Sequence, residues 1–177
     1  MKKAIWILSI VCVALLSFIL YAMYLGNKMK VKNKDNEMNN FPTWQYTSSV
    51  NEVTLDTTKS AFVNAKFEFP EGVFKDVSLA LVNSGRKTNV MLISQSAAFD
   101  ITDEKNINLG ARLDENQPQK LKFYALPLKY DAMFANNSDE LIQQLLNTDT
   151  LRIECQFLVA GRHVLKFYVA DLKWPLN

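Results

Sequence analysis

The chain has 177 residues, with 20 Lys and Arg against 18 Asp and Glu, a net charge of +2, one histidine and two cysteines. A His-rich zinc site, a thiolate cluster and a disulfide framework are excluded by that inventory. Five glycines leave little material for a backbone-built phosphate cradle, and neither a P-loop nor a G-x-S-x-G turn occurs.

The first element is the uncharged apolar run Ala4–Gly26, set between Lys2-Lys3 and the cluster Lys28, Lys30, Lys32 and Lys34. At 1.5 Å per residue it reaches about 34 Å, enough to cross a hydrocarbon core of roughly 30 Å with some tilt. Residues 1–26 therefore read as a transmembrane signal-anchor. Trp6 near one end and Tyr21 and Tyr24 near the other suit the headgroup level, and Lys28 and Lys30 follow on the flank. Bulky Tyr24 and Leu25 stand where a cleavage site needs small side chains, so a cleaved signal peptide is the weaker alternative and a soluble core helix the weakest. Cys12 is preceded by Val11, which disfavours a lipoprotein signal. The lysine-led start favours a cytoplasmic N-terminus and an exported domain, at the inner membrane, although the lysines after the run pull the other way.

Residues 27–41 lack hydrophobic period and read as a Lys/Asn-rich linker, and residues 42–177 form one domain of common size. The charge divides unevenly. The segment before Pro42 carries +4 and the domain −2, so the basicity belongs to the membrane flank. No basic stripe of the kind that binds nucleic acid is visible in the order of residues.

Within the domain, Ala61, Val63, Ala65, Phe67 and Phe69 alternate with polar residues until Pro70-Glu71-Gly72, and Val77, Leu79 and Leu81 continue the period of two. Asn83-Ser84-Gly85-Arg86 signals a hairpin into Val90–Ile93, a strand expected to be buried on both faces. Phe99 with Ile101, then Ile107–Leu113, and Leu121–Ala125 follow, the last two divided by Asp114–Pro118. A helix is expected from Ser138 to Asn147, capped by Asn137 or Ser138, with Leu141, Ile142, Leu145 and Leu146 on one apolar face. Leu151–Phe157 and Leu165–Val169 make the closing hairpin around Ala160-Gly161. Seven or eight strands with one short helix predict a mainly β domain, an antiparallel two-sheet sandwich with a partly open barrel as the alternative.

The Trp44-Gln45-Tyr46 strand, Ala111-Arg112-Leu113-Asp114, the Asp139-Glu140-Leu141-Ile142 helix and the closing hairpin together resemble small bacterial envelope β-sandwiches. These include the invasion-associated locus B proteins and accessory proteins of type VI secretion. The resemblance implies export and a sandwich fold and carries over no functional residue; the paired cysteines common in the first of these families are absent here.

Few groups offer chemistry. His163 follows Gly161-Arg162 and reads as an exposed turn residue without a partner for acid–base work. Asp100, Asp103 and Glu104, like Asp114 and Glu115, read as solvated loop acids, and neither set has EF-hand spacing. Asn136-Asn137-Ser138 matches a glycosylation acceptor, which matters only in a eukaryotic secretory pathway. No catalytic, cofactor or metal residue is therefore expected. Tyr124 and Tyr168, on the faces opposite Phe123 and Phe167, are the candidate interaction surface. The expected function is a non-enzymatic, membrane-anchored interaction or accessory protein of the bacterial envelope with a protein partner and no nucleic acid. A carrier of a small hydrophobic or lipid ligand is the alternative, and an envelope hydrolase the least favoured.

Overall fold

A computed structural model describes residues 42–66, 77–85 and 87–175. The anchor with Trp6, Tyr21, Tyr24, Lys28 and Lys30, and the linker, lie outside the described residues. Among the described residues no helix is long and apolar enough to cross a membrane.

Among the described residues, nine strands and one helix follow in chain order: β1 (Gln45–Val50), β2 (Thr57–Asn64), β3 (Val77–Asn83), β4 (Thr88–Ser94), β5 (Ile107–Leu113), β6 (Gln119–Tyr124), β7 (Ala132–Ala135), α1 (Ser138–Leu145), β8 (Thr150–Phe157) and β9 (Gly161–Tyr168). All pair antiparallel in a single open sheet, in the order β1-β2-β3-β4-β7-β6-β5-β8-β9. Hydrogen bonding thus runs through one sheet where the sequence suggested two. The joint is β7, a four-residue strand of sequence AMFA too short to show a period. It pairs with β4 through Met91–Phe134, Leu92–Met133 and Ile93–Ala132, and with β6 through Phe123–Ala135 and Tyr124–Phe134.

Turn chemistry matches the expected hairpins. Gly85 at φ +91° donates its N–H to Asn83 Oδ1 at 2.8 Å, and Gly161 at φ +78° opens β9, both in the left-handed region that a Cβ disfavours. Between β5 and β6 the left-handed position is taken by Asp114, at φ +50°, a residue whose short polar side chain tolerates it.

Alternation aims one face of the sheet at a common core. Phe99, Phe123, Phe157 and Phe167, with Leu79, Leu81, Leu92, Leu151, Ile153 and Leu165, are fully buried there. Each such side chain contributes roughly 1.5–3 kcal/mol on transfer from water, which is how a domain without disulfides holds together. Leu141, Ile142 and Leu145 of α1 join the same core, whereas Leu146, expected on that face, is 38% exposed. The strand buried on both faces is β3, through Val77–Leu81, and not β4, where Met91 and Ile93 are only half buried. Small Ser78 and Ala80 face outward on β3 and are overshadowed by larger neighbours on β2 and β4.

The far strands of the sheet also touch. β1 reaches along β2 only as far as the Gln45–Phe62 pair, so beyond it Lys66 is available to bridge β9. Lys66 donates its N–H to the Lys166 carbonyl at 2.7 Å and accepts from Lys166 at 3.2 Å. Trp44 Nε1 donates to the Val169 carbonyl at 3.1 Å, and Tyr46 Oη accepts from the Lys173 N–H at 2.9 Å.

Candidate interaction surface

The register decides which outward side chains meet, because directly paired residues share a face. One row crosses five strands: Phe62 opposite Ala80, Ala80 opposite Met91, Met91 opposite Phe134, and Phe134 opposite Tyr124. Tyr124 and Phe134 stack with centroids 5.4 Å apart at 22°. Ser78, Val82 and Ile93 lie beside this row, and Ser78 Oγ donates to Asn64 Oδ1 at 2.6 Å. A depression of about 420 Å³ opens here, lined in part by Thr47, Ser60, Phe62, Ala80, Val82 and Ile93. Among the described residues, the outward strand positions of β1, β2, β3, β4 and β7 carry no charge.

The other half of the sheet is different. Arg112 of β5 stands opposite Arg152 of β8, Arg152 opposite Lys166 of β9, and Lys166 opposite Lys66. Lys120 and Lys122 project on the same side of β6, opposite Gly110 and Asn108, and Arg162 on β9. Only Glu154 is acidic at an outward strand position of this half, and it pairs with Arg162 at 3.5 Å. Glu115, in the β5–β6 turn, reaches both arginines, Arg112 at 2.8 Å and Arg152 at 3.4 Å. These basic residues are scattered between positions 66 and 166, and pairing alone gathers them. No stripe was legible in residue order for that reason.

The two candidate tyrosines are outward and half buried, as their alternation requires. They do not form one patch, because β5 and β8 separate β6 from β9. Tyr124 marks the border between the uncharged and basic halves. Tyr168, opposite Thr150, lies on the basic half two residues from Lys166. Of the other aromatics, Phe123 and Trp44 are buried and Trp174 packs against the core, whereas Tyr46 and Tyr130 are exposed.

His163 is a correction to the expected exposed turn residue. It lies within β9, half buried and opposite Cys155, and its Nε2–H donates to the Ala160 carbonyl at 2.9 Å. A cysteine opposite a histidine invites comparison with a nucleophile–base pair. The thiol argues against it, since burial, with the Glu154 carboxylate as a smaller cause, pushes Cys155 up to about 12. A buried thiol of that kind is inert.

The acidic residues serve the backbone. Asp103 accepts from the Lys105 N–H at 3.0 Å and from Asn106 Nδ2 at 3.3 Å, bonds that hold its carboxyl below the usual value. Asp114 accepts from the Asp149 and Thr150 N–H groups and the Thr150 hydroxyl. Among the described residues no group of three or more His, Cys, Asp and Glu is placed to hold a metal ion. Asn137 caps α1, accepting from the Glu140 N–H at 3.4 Å and donating to Glu140 Oε2 at 2.7 Å, a reciprocal arrangement like a capping box. No family model, curated protein or solved structure matches the chain.

Proposed function

We propose that the chain is a single-pass, membrane-anchored interaction protein of the bacterial envelope, its N-terminus cytoplasmic and its β domain exported. In this reading the rolled sheet is a partly open barrel that presents a binding face and does no covalent chemistry. The observation that carries it is the uncharged outer half. Five paired strands carry an outward, half-buried row of Phe62, Met91, Phe134 and Tyr124 around small Ala80, beside a shallow polar-rimmed depression. Aromatic and methionine side chains are enriched at protein interfaces and charged ones depleted from their centres. The inert Cys155 and the carbonyl-bound His163 favour a non-enzymatic role over a hydrolase. A filled interior, packed with four phenylalanines, favours a protein partner over a ligand carried inside the barrel.

A photoreactive amino acid at Met91 in living cells tests the reading, with Gln156 on the basic half as the control position. A discrete adduct from position 91, lost in Phe62→Asp, supports it. Equal labelling from both positions, or none from position 91, counts against it. Protease added outside spheroplasts should remove the domain, and complete protection in sealed cells would reverse the orientation.

A further inference from the structure

The geometry points to the basic half of the domain, the outward faces of β6, β5, β8 and β9, as a docking surface for an anionic phospholipid bilayer. This rests on the membrane-anchored reading and adds to it an orientation for the domain. Six outward cations, Lys120, Lys122, Arg112, Arg152, Arg162 and Lys166, have as nearby acids Glu154, the turn residue Glu115 and Glu140 of α1, which lines a depression together with Lys120 and Lys122. The domain as a whole is acidic by two charges, so this concentration is a property of the register and not of composition.

Arg112, Arg152, Lys166 and Lys66 are consecutive cross-strand partners, an arrangement that costs stability because like charges directly opposite repel. Glu115 offsets part of that cost at one end of the row, where Arg112 also donates to the Glu115 and Asn116 carbonyls and so staples the turn. Turn stapling does not account for Lys120 and Lys122, which are exposed and stand away from it, or for Arg162, whose near partner is Glu154. A phosphate-bearing surface does account for them, since each Lys or Arg close to an anionic leaflet adds attraction. Tyr124 and Tyr168 border the field, where amphipathic rings suit the headgroup level.

The position of the tether favours a bilayer over a free polyanion. Trp44 is fixed to the Val169 carbonyl, just past the end of β9. Trp44 is also the residue before β1, so the chain enters the domain at the seam where β1 meets the end of β9. The 15 linker residues, 27–41, extend at most about 50 Å, which keeps a leaflet at high local concentration near the domain, and the charge of the basic strands selects the face that meets it. Docked this way, the domain directs the uncharged half away from the bilayer, where a protein partner can reach it.

The test uses the full chain reconstituted in bilayers of phosphatidylcholine, with or without phosphatidylglycerol. A fluorophore is attached at Asn108, opposite Lys122 on the basic half, or at Asn89 on the uncharged half, with an acceptor on the lipid headgroups. Phosphatidylglycerol should raise transfer from position 108 and not from position 89, and 0.5 M salt should abolish the difference. Lys120→Gln with Lys122→Gln, at two exposed positions that leave the core intact, should weaken docking by roughly fivefold per charge removed. Transfer that is equal at the two positions, or indifferent to phosphatidylglycerol, overturns the proposal. So does tighter binding of duplex DNA than of anionic vesicles at the same salt.

Failure of the anchor shows separately, as release of the chain from pure phosphatidylcholine vesicles on flotation. In that event salt-sensitive flotation with phosphatidylglycerol vesicles, lost in the double variant, still supports the basic surface, and its absence overturns it.

Discussion

Asp114 Oδ1 accepts two hydrogen bonds from Thr150, one from its backbone N–H at 2.8 Å and one from its hydroxyl at 3.2 Å. The pair ties the β5–β6 turn to the start of β8, while the Asp114 N–H donates to the Thr150 carbonyl at 2.8 Å. Asp114→Ala leaves the Asp149 and Thr150 N–H groups without this acceptor and puts a Cβ-bearing residue of lower left-handed tolerance at φ +50°. A loss of about 1–3 kcal/mol is expected in urea unfolding. Asp114→Asn keeps an acceptor oxygen and the left-handed tolerance, and should recover most of it.

The thiol of Cys155 should be silent in the native protein. It is 1% exposed, and burial pushes its pKa from the ordinary thiol range up to about 12. Labelling by a disulfide reagent should proceed only at the rate of opening, and quickly in denaturant. The raised value also fixes a sign. Above pH 9 the unfolded thiol ionises and the folded one does not, so its contribution to stability is complete below pH 9 and declines as pH climbs towards 12. Comparing unfolding of the parent with Cys155→Ala across that window isolates the effect, and the variant should show the shallower decline.

Ser138 couples the helix to the sheet. It is 3% exposed, and its hydroxyl accepts from the Val90 N–H at 2.9 Å, at the stretch of β4 beyond the reach of β7. Ser138→Ala orphans a buried donor, which is expected to cost about 1–3 kcal/mol. Asn137→Ala removes only the cap and should cost about 1 kcal/mol, read as lost helical signal and a lower unfolding midpoint.

Trp44 should report on the seam. Trp44→Phe retains most of the buried ring and deletes the donor to Val169, a net loss of about 1 kcal/mol. Amide exchange should then quicken at Gln45 and Tyr46 and leave Ile153 unchanged.

Elements with a long period were legible in residue order. The closing hairpin, the run Ile107–Leu113 and the cap at Asn137 stand where alternation and turn chemistry put them. The strand β7 was not, because four residues hold no measurable alternation, and with it went the joint that unites the sheet. The candidate surface was legible only as single outward residues such as Tyr124. Its rows depend on which strand lies beside which, and the β4–β7 and β5–β8 pairings join residues that no hairpin brings together. His163 was misplaced for a related reason. Gly161 already begins β9, so the residue two positions later belongs to the strand and takes the inward side opposite Cys155.

The hydrogen bond from Trp44 to Val169 spans 125 positions of sequence. Its closure, like those of Tyr46 with Asp171 and Lys173 beside it, carries a large ordering cost, because such a contact is rewarded only after the intervening chain is in place. Folding is thus expected to finish where the chain begins. β1 and β2 can form their hairpin early, but the first tryptophan of the domain finds its site only when the last strand has arrived. Chains truncated before residue 169 should keep a water-exposed Trp44 with red-shifted emission, which turns this side chain into a clock for completion of the domain.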